Sequence, residues 1–246
     1  MDYRETTWYS DRVNRHMNIK IYGWGGTPIL VFPCQGSMSN NFADFGMIDT
    51  ISDFINNGNV QLFCVDTIDT ESWSDVNNWD KCHRSWRQEC YYNYIIEEVV
   101  PFIMNNNNSG WLPVALGCSL GATHAAIVAL RRPDLFGGCL AMSGAYDAKY
   151  FFDGWMDENL YKNSPVNFVG DLPWDHWYLD LYRQRNIMLI VGQGAWEDEG
   201  RRTTAIMRDI FAAKGVNATC DFWGYDVDHD WPWWKVQIRY YLPRVF

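Results

Sequence analysis

Ser119 stands at the centre of a Gly-x-Ser-x-Gly motif, in which residues 117–121 read Gly-Cys-Ser-Leu-Gly. The apolar residues 114–116 precede the motif, and an alanine-rich segment of helical character follows it until Pro133. This order predicts a serine on a sharp turn between a strand and a helix, where glycine avoids a clash two residues before and after it. The pattern is typical of a serine that attacks its substrate and forms a covalent intermediate.

A serine hydroxyl is a poor nucleophile at neutral pH and needs a base that is held by an orienting partner. In chains where the serine stands on such a turn, the partners follow in the order Ser, Asp or Glu, His. Of the five histidines, only His176 and His229 lie well downstream of Ser119. His229 comes just after the last predicted strand, in a loop that can reach the serine, so we predict it to be the base.

The acid of this group should follow the predicted strand over residues 187–191. Glu197, Asp198 and Glu199 stand in a row shortly after that strand. Glu197 lies nearest to the strand end and is the predicted acid, with Asp198 as the alternative. The remaining carboxylates are expected to begin the next helix, where its dipole favours negative charge.

A tetrahedral oxyanion needs two backbone N–H donors. The first is predicted at Leu120, directly after the serine, and the second in the loop that follows the predicted strand 28–32. In that loop Pro33 has no N–H to donate, Gln35 is the preferred donor, and Cys34 is the alternative. The chain is also rich in tryptophan, and among these residues Trp231 is predicted to contact the substrate.

Hydrophobic periodicity predicts the elements that must position these side chains. Predicted strands span residues 17–22, 28–32, 60–65, 138–142, 187–191 and 218–223, and predicted helices span 41–56, 86–105, 199–213 and 233–241. The strand, turn and helix around the serine span 112–130, and a polar loop covers 67–84.

Because strands alternate with helices and the central strands are apolar throughout, we predict an α/β fold with a mostly parallel sheet covered on both faces. Nothing in the sequence divides the chain, so residues 1–246 are expected to form a single domain. The segment 144–185 has no long periodic run and is expected to form an irregular, cap-like insertion.

Composition limits the classes of partner. The 246 residues carry a net charge of −10, from 30 Asp and Glu against 20 Lys and Arg, which argues against nucleic acids and anionic membranes. The chain starts without a signal-peptide pattern and has no long apolar run, so a cytoplasmic protein with seven reduced cysteines is expected. No motif predicts a metal or another cofactor, and a homo-oligomer is compatible with the sequence.

The chain resembles the bacterial putative-esterase family, the esterase D-like branch of the α/β-hydrolases. The resemblance covers nearly the whole chain and is most specific at residues 117–122, 131–136, 143–147 and 228–234. It implies the α/β-hydrolase fold and a serine hydrolase acting on esters, with Ser119 as nucleophile and His229 as base. Residues 33–36 read Pro-Cys-Gln-Gly, where a His-Gly-Gly type of loop is usual.

The leading hypothesis is therefore a serine carboxylic-ester hydrolase that acts on a small-molecule ester through an acyl-enzyme. An acyltransferase on the same fold would transfer the acyl group to an acceptor other than water. A catalytically inactive binding scaffold is the alternative from another class, because fold alone does not establish function.

Overall fold

The computed structural model describes residues 1–246, and an eight-stranded sheet runs through it. The strands lie in the order β1-β2-β4-β3-β5-β6-β7-β8, and only β2 runs opposite to the others. Their bounds are β1 Tyr3–Ser10, β2 Arg15–Tyr22, β3 Thr27–Phe32, β4 Val60–Val65, β5 Val114–Cys118, β6 Gly138–Met142, β7 Asn186–Val191 and β8 Thr219–Phe222.

Eleven α-helices connect and cover these strands. They are α1 Asn41–Asp44, α2 Met47–Thr50, α3 Ser52–Asn56, α4 Lys81–Tyr94, α5 Val100–Asn106, α6 Leu120–Arg131, α7 Glu158–Lys162, α8 Pro165–Gly170, α9 Tyr178–Tyr182, α10 Asp198–Ala213 and α11 Trp231–Tyr241. One π-helical turn, Ile95–Val99, joins α4 to α5, and short 3₁₀ helices span Asp69–Glu71, Ala148–Phe152 and Leu242–Arg244.

The central strands are buried on both faces, and alternate side chains enter two separate cores. In β3, for example, Leu30 and Phe32 pack with residues of α4 and α6, whereas Ile29 and Val31 pack with residues of α2, α3 and α11. Side chains of a strand point alternately to opposite faces, so a continuous apolar run is the pattern of a strand with helices on both sides. The prediction of a mostly parallel sheet covered on both faces is confirmed.

Most predicted elements are present, and the departures have physical causes. Strand β1 was not predicted because its sequence is largely polar and exposed, as expected of the outermost strand of a sheet. The helix predicted over 41–56 is divided into α1, α2 and α3, and Gly46 at the first break has a φ of +71°. The helix predicted over 86–105 begins five residues earlier, where the Asp80 side chain accepts a hydrogen bond from the His83 N–H.

The irregular segment 144–185 holds α7, α8, α9 and a 3₁₀ helix. Its apolar side chains, such as Phe152, Leu160 and Val169, belong to the same core as α6. Tyr150 and Phe151, at its amino end, border the cavity in front of Ser119. No helix in the structure combines the length and the apolar character needed to cross a bilayer.

Candidate active site

Ser119 lies between β5 and α6 in a strained backbone conformation, with φ +57° and ψ −128°. Such a conformation is rare for a residue with a side chain and is typical of functional turns. The glycines of the motif make the turn geometrically feasible. A Cβ on Gly117 would lie 2.3 Å from backbone atoms of Gly121, and a Cβ on Gly121 would lie 2.5 Å from the Phe32 carbonyl oxygen.

His229 reaches Ser119 from the loop between β8 and α11. Its Nε2 lies 2.8 Å from the serine Oγ, although the two residues are 110 positions apart in the chain. The imidazole is partly exposed, with 24% of the side chain accessible. The ring therefore has both the contact that a general base needs and access to the cavity.

Glu197 is the carboxylate that meets this histidine. Its Oε2 lies 3.2 Å from His229 Nδ1, and the side chain is only 1% exposed. Asp198, the alternative from the sequence, begins α10, is exposed, and pairs with Arg201 at 3.0 Å. The geometry thus brings Ser119, His229 and Glu197 together and leaves Asp198 outside the group.

Ser143 holds the other oxygen of the Glu197 carboxylate, and Trp234 in turn holds the Ser143 hydroxyl. The Ser143 hydroxyl donates to Glu197 Oε1 at 2.5 Å and accepts from Trp234 Nε1 at 2.9 Å. The Trp234 ring also packs edge-on against the His229 ring, with centroids 5.0 Å apart. Neither role was predicted from the sequence, although Ser143 directly follows β6, the strand beside β5, and so lies at the same ends of the strands as Ser119.

The loops that carry the acid and the base are joined by backbone hydrogen bonds. The Gly194 N–H donates to the Val227 carbonyl at 2.9 Å, and the His229 N–H donates to the Ala195 carbonyl at 3.0 Å. A Cβ on Gly194 would lie 2.2 Å from an Asp228 carboxylate oxygen. This close approach fixes the position of the imidazole relative to Glu197.

The predicted oxyanion donors, Leu120 and Gln35, both line the cavity that Ser119 borders. Leu120 is the first residue of α6, so its N–H has no intrahelical acceptor. Gln35 lines the same cavity, and its N–H donates no hydrogen bond within the protein. The N–H of Cys34, the alternative, already donates to Asn41 Oδ1 at 3.0 Å. Burial raises the pKa of the Cys34 thiol to about 12, so this neighbour stays protonated.

A cavity of about 400 Å³ opens in front of Ser119. Its twelve lining residues are Gln35, Ser119, Leu120, Thr123, Ser143, Ala145, Tyr150, Phe151, Trp196, Glu199, Gly200 and His229. Trp231, predicted to contact the substrate, is not among them, because its ring stacks on Phe45 at 4.5 Å and on the edge of Trp234. The tryptophan that borders the cavity is Trp196.

A larger cavity, of about 590 Å³, lies at the opposite ends of the strands. It is bordered by residues at the amino ends of strands, such as Thr27, Val114 and Asn186. Its lining contains no serine, cysteine, histidine, aspartate or glutamate. The nucleophile and base therefore belong to the smaller cavity, at the carboxyl ends of the strands, where ligands of open α/β sheets bind.

A family model described as Putative esterase matches residues 10–245. The chain belongs to this family. Membership of this family confirms the prediction of a serine esterase. No curated protein matches the sequence of this esterase.

Solved structures resemble the esterase over its whole length. A ferulic acid esterase is 16% identical, with a TM-score of 0.74, and the match covers 100% of this chain and 99% of the other. An S-formylglutathione hydrolase from Agrobacterium tumefaciens is 13% identical, with a TM-score of 0.72 and coverages of 99% and 94%. The fluorophosphonate-binding serine hydrolase F of Staphylococcus aureus is 14% identical, with a TM-score of 0.68 and coverages of 99% and 98%. At these identities the likeness concerns the fold, and it confirms the α/β-hydrolase prediction.

The esterase contains a second histidine–carboxylate pair, between His124 of α6 and Asp69. His124 Nε2 lies 2.9 Å from Asp69 Oδ1, and both side chains are 1% exposed. His124, five residues after Ser119, therefore lies in the core. No group of three or more His, Cys, Asp and Glu side chains in this chain is arranged to hold a metal ion.

Proposed function

We propose that this esterase hydrolyses a small-molecule carboxylic ester through an acyl-enzyme on Ser119. The observation that carries the proposal is the continuous chain of contacts from Ser119 Oγ to His229 Nε2, at 2.8 Å, and from His229 Nδ1 to Glu197 Oε2, at 3.2 Å. This is the order of groups that activates a serine hydroxyl.

In the first half of the reaction, Ser119 Oγ attacks the ester carbonyl carbon while His229 Nε2 takes the hydroxyl proton. The carbonyl π electrons move to the oxygen, which the N–H groups of Leu120 and Gln35 stabilise. Collapse of this intermediate breaks the bond to the alcohol oxygen. The imidazolium returns its proton to that oxygen, so the alcohol leaves and the acyl group stays on Ser119.

In the second half, His229 takes a proton from water, and the hydroxide attacks the acyl carbon. The bond to Ser119 Oγ then breaks and the serine recovers its proton from His229, which releases the carboxylic acid. Glu197 keeps its charge throughout, because its role is to orient the imidazole and to stabilise the imidazolium. Water can reach this site, since Gln35 and Tyr150 at the cavity are exposed, which favours hydrolysis over transfer to another acceptor.

A fluorophosphonate, which phosphonylates an activated serine, tests the proposal. The wild-type protein should gain one adduct mass, and peptide mapping should locate it at Ser119. A Ser119→Ala variant should stay unlabelled and should lose turnover of short-chain nitrophenyl esters. Absence of labelling in folded wild-type protein, or equal turnover by the variant, would reject the acyl-enzyme.

The same sample separates hydrolysis from acyl transfer. Hydrolysis releases the free acid in proportion to the alcohol, whether or not a second alcohol is added. If added alcohol or sugar captures most of the acyl group as a new ester, the protein is an acyltransferase. The labelling of Ser119 is expected in both cases.

A further inference from the structure

Trp196 is held in an unusual conformation beside the cavity. Its φ is +65°, a left-handed value that large side chains rarely adopt, and its side chain is 89% exposed. It is one of the most exposed tryptophans in the chain, and its ring stacks on no other aromatic ring and on no cation. An indole ring is thus kept in solvent at the border of the cavity that Ser119 lines.

The backbone at this position has a clear structural purpose that does not need a tryptophan. The preceding residue, Ala195, accepts from the His229 N–H at 3.0 Å and donates to Asp228 Oδ1 at 2.6 Å, and the next residue is Glu197. The left-handed turn therefore places the acid against the base. Glycine or asparagine would adopt this conformation with less strain, so the turn alone does not explain the indole ring.

Two more aromatic side chains border the same cavity. Tyr150 and Phe151 lie in the 3₁₀ helix at the start of the irregular segment, and their rings meet edge to face at 5.1 Å. The Tyr150 side chain is 59% exposed. Aromatic rings from two separate segments, one at Trp196 and one at residues 150–151, thus line the space beside the serine.

The charges at the cavity do not suit an anionic ligand. None of the twelve lining residues is a lysine or an arginine, and Glu199 contributes a carboxylate. Arg202, which contacts the lining residue Glu199 at 2.7 Å, is also paired with Asp147 at 3.2 Å. A substrate carboxylate or phosphate would find no cationic side chain among the residues that line the cavity.

We propose that the substrate is an ester that carries an uncharged aromatic ring and that Trp196 selects it by stacking on that ring. This inference rests on the proposed ester hydrolysis and concerns which esters the site accepts. Tyr150 and Phe151 form the second aromatic wall. The ring can belong to the acyl group or to the alcohol, and both sources share the same recognition chemistry, which is apolar contact between flat π-systems.

Two matched pairs of esters test the proposal and distinguish the two sources. Benzyl acetate and butyl acetate differ in the alcohol, whereas methyl 3-phenylpropanoate and methyl butanoate differ in the acyl group. A Trp196→Gly variant removes the ring and relaxes the turn, and a Trp196→Phe variant keeps a ring. Trp79→Ala is the matched control, because Trp79 is also 89% exposed but does not border the cavity.

Trp196→Gly should lower kcat/KM for the aromatic member of at least one pair by about tenfold, mainly through KM, and change the aliphatic member less than about twofold. Trp196→Phe should recover most of the loss, and Trp79→Ala should change nothing. Wild-type enzyme should also prefer benzyl acetate over 4-carboxybenzyl acetate by about tenfold or more.

Equal losses on the aromatic and aliphatic members would overturn the proposal, because they would mean that Trp196 acts by placing Glu197. No loss on either member would overturn it as well. These results differ from failure of the proposed function, in which the wild-type protein neither turns over any of the four esters nor is labelled by a fluorophosphonate. Labelling at Ser119 without aromatic selectivity would reject only the role of Trp196.

Discussion

Two histidine–carboxylate pairs lie near the Ser119 turn, and they differ in burial, surroundings and reach. His124 and Asp69 are 2.9 Å apart and almost fully buried, whereas His229 and Glu197 are 3.2 Å apart and the histidine is 24% exposed. The His124 ring is surrounded by Phe32, Tyr91 and Trp73. Only His229 contacts the serine and borders its cavity.

The shorter and more buried pair is therefore not the one placed for chemistry. A base must exchange protons with substrate and water, so its ring needs one free side and a short path to the nucleophile. The His124–Asp69 pair is enclosed by aromatic rings, so it gives a buried polar group a hydrogen-bond partner and stabilises the packing of α6 against its neighbours. The two pairs predict opposite effects of substitution, one on activity and the other on stability.

The largest expected effect is that of His229→Ala on turnover. Without the imidazole the serine hydroxyl has no base, so kcat should fall by roughly 10⁵-fold. The free energy of unfolding should change by about 1 kcal/mol or less, because the side chain is partly exposed. Ester hydrolysis and thermal unfolding of the same preparation measure both. A variant that keeps more than about a tenth of wild-type kcat would show that another group acts as base.

The next effect separates the two candidate acids. Glu197→Gln keeps the shape of the side chain but favours the wrong tautomer of His229, so kcat should fall by about 10⁴-fold. Asp198→Asn is the matched control and should stay within about twofold of wild type, because its carboxylate is exposed and pairs only with Arg201. The reverse result, with Asp198→Asn inactive, would reject the assignment of the acid.

His124→Ala should act on stability rather than chemistry. It leaves the Asp69 carboxylate buried without its one side-chain partner, which typically costs about 3–5 kcal/mol. For a chain of this size that is a fall in Tm of roughly 10 °C. Well below this Tm, kcat/KM should stay within about tenfold of wild type. A stable but inactive variant would contradict a purely structural role for this pair.

Ser143→Ala should give a smaller loss of activity. Glu197 Oε1 would lose the hydroxyl that donates to it, so the carboxylate would be less firmly placed, and kcat should fall by about 10–100-fold. Trp234→Phe should cost less, since the serine can still donate to Glu197. Fluorophosphonate labelling rates, which involve no ester binding, should fall in the same order. If only KM rises and labelling is unchanged, Ser143 contacts the substrate and does not position the acid.

The sequence predicted the buried strands well because they carry a simple signal. Strands β4 and β6 have the predicted bounds, since each is an apolar run, interrupted only by Gln61 in β4, that ends at a polar residue. The same reasoning missed β1, where one side is exposed and half of the pattern is polar. It also joined α1, α2 and α3, because helical spacing continues across Gly46 although the backbone does not.

Site residues could be predicted where the required chemistry and the order of residues along the chain leave few candidates. Ser119 and His229 follow from the motif and from the position of the last strand. The sequence left Asp198 as an alternative to Glu197. The turn at Trp196 decides between them, because it directs Glu197 toward His229 and leaves Asp198 in solvent. Ser143 and Trp234 could not be assigned, since the contact of Ser143 with Glu197 and that of Trp234 with Ser143 join segments that are distant in sequence.

The candidate site draws its parts from the loops after β3, β5, β6, β7 and β8, and the last of these strands lies at the edge of the sheet. Gln35 and His229, at the two ends of this set, are separated by more than three quarters of the chain, so the site is complete only when distant segments have come together. During refolding, ester turnover can therefore return only after β8 has joined β7, even when far-ultraviolet circular dichroism has already recovered. Regain of activity thus reports that β8 has joined the sheet.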